Sequence, residues 1–265
     1  MDREPSLSCL CYTVYQKDSK HTQAMSTSDT FAIIALAALI HASFQLSVSM
    51  MTVMSGHALG KRTGHNRVMR LILGFILGVM TMVALGVSFL ALLTSNLAPD
   101  GWPTLAWAGV SGLMIGVGVA VWVVYYRYRK PGTVLWLPRG FADYLSSRAR
   151  AAKLAPEAFG LGLASVVSEF IFGLAPMLVT ALLLAPLDAP LQLAGLALYT
   201  IIVSLPLHVI AVLVGGGRSL ARVQRWREQH KRFIQFTAGS ALIVLGAYLY
   251  VDIVMTQILI GGAGV

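Results

Sequence analysis

The chain has 265 residues, of which 57% are hydrophobic and 12% are charged, where a soluble domain averages about 25% charged. That excludes an ordinary soluble domain and an intrinsically disordered chain. It also excludes a transmembrane barrel, whose strands alternate in polarity over about 10 residues, because the apolar runs here extend over twenty or more nearly uncharged residues. The net charge of +9, from 20 basic and 11 acidic residues, would suggest nucleic acid in a soluble protein; here cytoplasmic loops account for it, and no nucleic-acid partner is expected.

Residues 1–28 are polar and lack the apolar core of a signal peptide. They are expected to form a disordered tail, with Met25 a second candidate start. Cys9 and Cys11 lie in this tail, and a bridge between them would close a small, strained ring. Six apolar spans follow, expected near 30–54, 68–96, 104–126, 158–184, 191–214 and 233–258, with Pro- and Gly-containing turns at 98–103 and 185–190.

Basic residues set the expected orientation. Loop one carries Lys61, Arg62, Arg67 and Arg70. Loop three carries Arg127, Arg129, Lys130, Arg139, Arg148, Arg150 and Lys153. Loop five carries Arg218, Arg222, Arg225, Arg227, Lys231 and Arg232. Loops two and four carry only Asp100 and Asp188. The positive-inside rule then places the odd loops in the cytoplasm and both termini outside. In loop three, residues 139–154 mix Phe141, Tyr144 and Leu145 with Arg148, Arg150 and Lys153, which fits either an amphipathic helix at the membrane surface or a solvated loop.

The order of elements repeats. Three spans (29–126) precede a basic loop (127–156), and three more (157–265) follow it. An offset of 128 pairs Phe44 with Phe172, Leu46 with Leu174, Thr52 with Thr180, and His41 with Glu169. Ala108-Gly109 in span three resembles Ala238-Gly239 in span six. Because each unit has an odd number of spans, the two units must be inverted, a plan that puts a transporter's site near the midplane between repeats. The expected fold is therefore all-α, a polytopic membrane protein of six helices in two inverted three-helix repeats.

Four residues within the spans ionise near neutral pH: His41, Glu169, His208 and Asp252. An ionised carboxylate at the bilayer centre costs at least about 2.5–3.5 kcal/mol, so it faces a partner, a cavity or a substrate. Glu169 is the leading candidate, preceded by Ser168 and followed two turns later by Pro176, which frees a backbone carbonyl. The alternative is a protonated Glu169 with a purely structural hydrogen bond. His41 and Gln45, four apart, share a helix face that either lines the site or ties helices together. His208, just after Pro206, is a candidate gate or an interfacial packing residue, and Asp252 reads as interfacial. The two span histidines lack ligand spacing, so neither a metal nor a cofactor is expected. Gly215-Gly216-Gly217 lacks the Lys-Ser/Thr of a phosphate-binding loop. With no nucleophile motif and no paired carboxylates, enzymatic activity is not expected.

Several motifs together resemble the LysE superfamily of six-helix membrane proteins. They are Met54-Ser55-Gly56, the basic Gly60–Gly64 loop, Leu73–Gly78, Gly160-Leu161-Gly162, Ser204-Leu205-Pro206 and Gly239 with Leu245-Gly246. The resemblance covers about residues 30–258 and implies small-solute export or, in the similar DsbD/CcdA branch, thiol-electron transfer. The DsbD/CcdA layout implies cysteines in helices one and four, where this chain has Leu39-Ile40-His41-Ala42 and Phe172–Pro176. A thiol relay needs a thiolate. Export implies a Pro-Gly-Pro-like break in helix one, yet residues 31–55 hold neither proline nor glycine. The expectation is a transporter of a small solute or ion, acting as an exporter through a midplane site in a bacterial inner membrane. Its partners would be the bilayer, the substrate and, in an oligomer, further copies of the chain. The alternative is a non-catalytic membrane scaffold derived from a DsbD/CcdA-like carrier.

Overall fold

A computed structural model describes residues 25–44, 51, 54, 65–97, 104–127, 139–216 and 220–262. The tail with Cys9 and Cys11, the 98–103 turn and Gln45 lie outside these residues. The described residues are helical apart from short turns: α1 (Thr27–Ser43), α2 (His65–Leu97), α3 (Thr104–Arg127), α4 (Arg139–Ala151), α5 (Ala155–Leu184), α6 (Ala189–Gly215) and α7 (Leu220–Leu249). A π-helix (Tyr250–Met255) continues α7 and leads into α8 (Thr256–Gly262). Five of these helical stretches are long and apolar enough to cross a membrane, so the chain is a helical, multi-pass membrane protein. The first expected span, 30–54, is described only over α1 and at the buried, helical Met51 and Met54.

Local chemistry explains the starts of these helices. Ser26 accepts the Asp29 backbone N–H at 3.1 Å, and Asp29 places negative charge in the first turn of α1. Pro156 opens α5, and the Glu157 carboxylate reaches back to the N–H groups of Lys153 (2.7 Å) and Leu154 (3.3 Å). Between α5 and α6 the turn is tight: Gln192 donates from Nε2 to the Leu187 carbonyl at 2.8 Å, and Pro190 stands in the first turn of α6.

Close helix crossings fix the directions. A Cβ on Gly74 would lie 2.7 Å from the Ala155 oxygen, Gly78 sits against Phe159 and Gly162, and Gly86 faces Met177. Both residue numbers rise together, so α2 and α5 run parallel. By the same reasoning α1 and α6 run parallel, since Ile34 faces Gly195 and His41 meets Tyr199. The α3–α7 pair is antiparallel: Gly118 packs on Gly239, Gly246 on Ser111, and Thr104 hydrogen-bonds Gln257 at 2.8 Å beyond the π-helix. Near the other end Trp122 stacks on Phe236 with ring centroids 5.4 Å apart.

The central helix is α5, which packs against α1, α2, α3, α4 and α6. In its most apolar window 67% of residues are buried, against 28% for α3 and for the last span, whose outer faces are left to lipid. The loop-three segment forms a helix with one face packed on the protein. Leu145 and Ala149 of α4 are buried in the core, while Tyr144, Ser147 and Arg148 are exposed.

Candidate functional site: a buried polar layer on the central helix

A helix with an apolar sequence on every side can bury polar groups only where each finds a partner. Three residues of this kind are buried within the bundle. His41 (1% exposed) comes from the last turn of α1, Tyr199 (0%) from α6 and Glu169 (2%) from α5. The His41 Nδ1 lies 2.8 Å from the Tyr199 hydroxyl, with the two rings tilted by 46°. The opposite edge of the imidazole rests on Gly173: a Cβ there would be 2.7 Å from Nε2, so only glycine leaves room for the ring. Glu169 and Gly173 are four residues apart and share one face of α5, so Glu169 stands one turn from the glycine that seats the imidazole.

Below Glu169 the hydroxyls of α5 are satisfied within the helix. Ser168 donates to the Ser165 carbonyl at 2.5 Å, and Ser165 donates to the Gly162 carbonyl at 2.8 Å. Above it, Phe172 stacks on Phe44 of the first span at 5.3 Å and 12°, so two residues equated by the 128-residue offset touch one another. Pro176 is buried and does not interrupt α5, which is continuous from Ala155 to Leu184. Its ring nitrogen has no hydrogen, so the Phe172 carbonyl loses its intrahelical donor beside the site, while Thr180 donates to the Pro176 carbonyl at 2.8 Å.

Of the residues expected at the site, His41, Glu169, Ser168 and Pro176 are therefore buried in or beside one layer on α5, and Gln45 lies outside the described residues. His208 is not in that layer. It is exposed on the outward face of α6, and its Nδ1 donates to the Ser204 carbonyl of its own helix at 2.9 Å. Asp252 is half-buried within the π-helix at the far end of the last span. Among the described residues, no three His, Cys, Asp or Glu side chains group to hold a metal ion.

Tyr199 is the member that sequence reasoning passed over. The available signal was a phenol in the middle of the uncharged 191–214 run, where its hydroxyl must find a partner. Tyr199→Phe is expected to cost about 1 kcal/mol, within the range measured for hydrogen bonds between membrane helices. In a His41→Ala background the same change should be nearly silent, so a double-mutant cycle read by thermal melting isolates the bond. Fully additive losses would show that the two side chains are not coupled.

No protein-family model, no curated protein and no solved structure matches this chain.

Proposed function

We propose that the protein is a transporter of a small solute or ion, not an enzyme, and that His41, Tyr199 and Glu169 form its central site. The carrying observation is the burial of an ionisable carboxyl on the most enclosed helix of a membrane bundle and of an imidazole–phenol pair, from α1 and α6, whose imidazole rests on that helix. Groups that are expensive in lipid mark pathways for ions or polar solutes. Their enclosure corresponds to an occluded state of an alternating-access cycle. In this reading Glu169 takes a proton or a cationic group, and His41, held by Tyr199 and Gly173, orients the bound species.

Helix directions support six spans in two inverted repeats. Exchanging α1, α2 and α3 with α5, α6 and α7 maps the α2–α5 contact onto α6–α1 and the α1–α7 contact onto α5–α3. It maps the α1–α5, α2–α6 and α3–α7 contacts onto themselves. Such a plan suits a LysE-superfamily-like exporter in a bacterial inner membrane with both termini outside. A second reading, the non-catalytic scaffold, is favoured by the tightness of the α2–α5 seam, where glycine meets carbonyl oxygen.

Uptake by proteoliposomes of a panel of radiolabelled amino acids and small cations separates the two. Protein-dependent movement of at least one solute is expected. No movement of any, with the melting temperature unchanged by all of them, would leave the scaffold.

The orientation has its own test. Ser147 and Ala189 are exposed near opposite ends of α5, whose 30 residues span about 45 Å. A cysteine at Ser147 should resist a membrane-impermeant reagent in intact cells, and one at Ala189 should react. The opposite pattern would invert the topology.

A further inference from the structure

At the end of the bundle where α2 and α5 begin, four basic side chains gather around the α4–α5 turn. Arg67 and Arg70 are one turn apart on α2, both exposed, immediately before the apolar run that starts at Leu71. Arg67 reaches across to the turn, donating from Nε and Nη2 to the Lys153 carbonyl, each at 3.3 Å. Arg148 of α4 lies over the Tyr144 ring at 5.4 Å, and both Arg148 and Lys153 act electrostatically on the Glu157 carboxylate. That carboxylate is occupied with the Lys153 and Leu154 N–H groups. Among the described side chains at this turn, Glu157 is thus the acid that faces these bases, in a corner whose backbone is held in place.

Beside these charges two apolar groups are exposed: Tyr144 (53%) and Leu154 (60%). The neighbouring face of α4, with Leu145 and Ala149, is already buried in the protein. What remains outward is a face with positive charge at the level of the headgroups and apolar surface next to it. Free phosphate or a nucleic acid would satisfy the charges and leave Tyr144 and Leu154 in water. A lipid satisfies both, with its phosphate on the arginines and its acyl chains along the apolar side chains.

We infer that the corner formed by Arg67, Arg70, Arg148 and Lys153 binds the headgroup of an anionic phospholipid in the leaflet it faces. The arginines supply charge-assisted hydrogen bonds to the phosphate oxygens. Because α4 bridges this corner to the core through Leu145 and Ala149, the bound lipid clamps α4 and the start of α2 to α5.

The test is a lipid titration of the purified protein in mild detergent, read by thermal melting. Phosphatidylglycerol should raise the melting temperature, while phosphatidylcholine and inorganic phosphate should not. The double variant Arg70→Gln, Arg148→Gln should melt like the parent without lipid and bind phosphatidylglycerol roughly 25-fold more weakly, at about one kcal/mol per basic residue. Arg232→Gln, an exposed base away from the corner, serves as the control and should bind like the parent. An equal loss in Arg232→Gln would mean bulk charge and no site. A shift produced by inorganic phosphate alone, or an unchanged affinity in the double variant, would also overturn the proposal. Should the double variant fold poorly, the parent's lipid response at about 0.5 M salt decides instead: screening should abolish most of it, and persistence would count against headgroup binding.

Discussion

Glu169→Gln is expected to yield a folded protein, within about 1 kcal/mol of the parent in stability, that moves no solute. Glutamine keeps the size of the side chain and its capacity for hydrogen bonds, but it neither ionises nor exchanges a proton. A carboxyl that is 2% exposed near the middle of the bundle carries charge only when that charge is matched, because the unmatched ion costs at least about 2.5–3.5 kcal/mol. In the proposed transporter, coupling charge to substrate binding is therefore the one property that the substitution removes. Glu169→Leu separates this from a packing role: it should remove hydrogen bonding as well and cost about 1–3 kcal/mol for the partner left behind. Uptake into proteoliposomes and thermal melting, measured on both variants, give the answer. A stable Glu169→Gln protein with full uptake would sink the role assigned to this carboxyl.

The largest loss of stability is expected from Gly162→Ala and Gly78→Ala. A methyl group on Gly162 would overlap the Phe75 carbonyl oxygen, and one on Gly78 would overlap the Phe159 carbonyl oxygen. Both obstacles are backbone, which cannot swing aside like the end of a side chain, so α2 and α5 must separate along their whole seam. Overpacking costs typically about 1–3 kcal/mol, and the backbone contact places these two at the upper end, near 3 kcal/mol. The pair should be less than additive, because the first methyl already opens the space for the second. Gly109→Ala and Gly112→Ala on the outer face of α3, where nothing lies within 4 Å, should instead be neutral or slightly stabilising, by up to about 1 kcal/mol. Comparable melting of all four variants would show that the α2–α5 seam is not close-packed.

Hydropathy reads membrane burial rather than helix length, and the element ends show it. Spans expected at 68–96, 104–126, 158–184 and 191–214 differ from α2, α3, α5 and α6 by three residues at most at either end. The last span, expected from 233, belongs to a helix that begins at Leu220, because the basic 220–232 stretch forms helix without being apolar. The π-helix at Tyr250–Met255 left no mark in the residue pattern.

At the site, an imidazole and a carboxyl in apolar runs announced themselves by their cost, and both are buried. His208 sent the same signal and faces outward, since the cost of a polar group does not reveal which side of the helix carries it. Tyr199 and Gly173 matter through contacts with His41 made across 158 and 132 positions of the chain, which no local pattern encodes.

The two parallel seams differ in mechanical character. Where α2 lies on α5, glycine faces carbonyl oxygen, so sliding one helix along the other drives a side chain into main chain, and this seam behaves as a locked joint. Around α1 the surfaces are of another kind: the Phe44 ring lies flat on Phe172, Ile34 and Leu184 meet at Gly195, and one hydrogen bond joins His41 to Tyr199. Flat rings and aliphatic tips tolerate the small displacements by which packed helices shear. In the proposed transport cycle, α2 with α5 is then the stator and α1 the slider, with the histidine riding on the slider and the glutamate fixed to the stator.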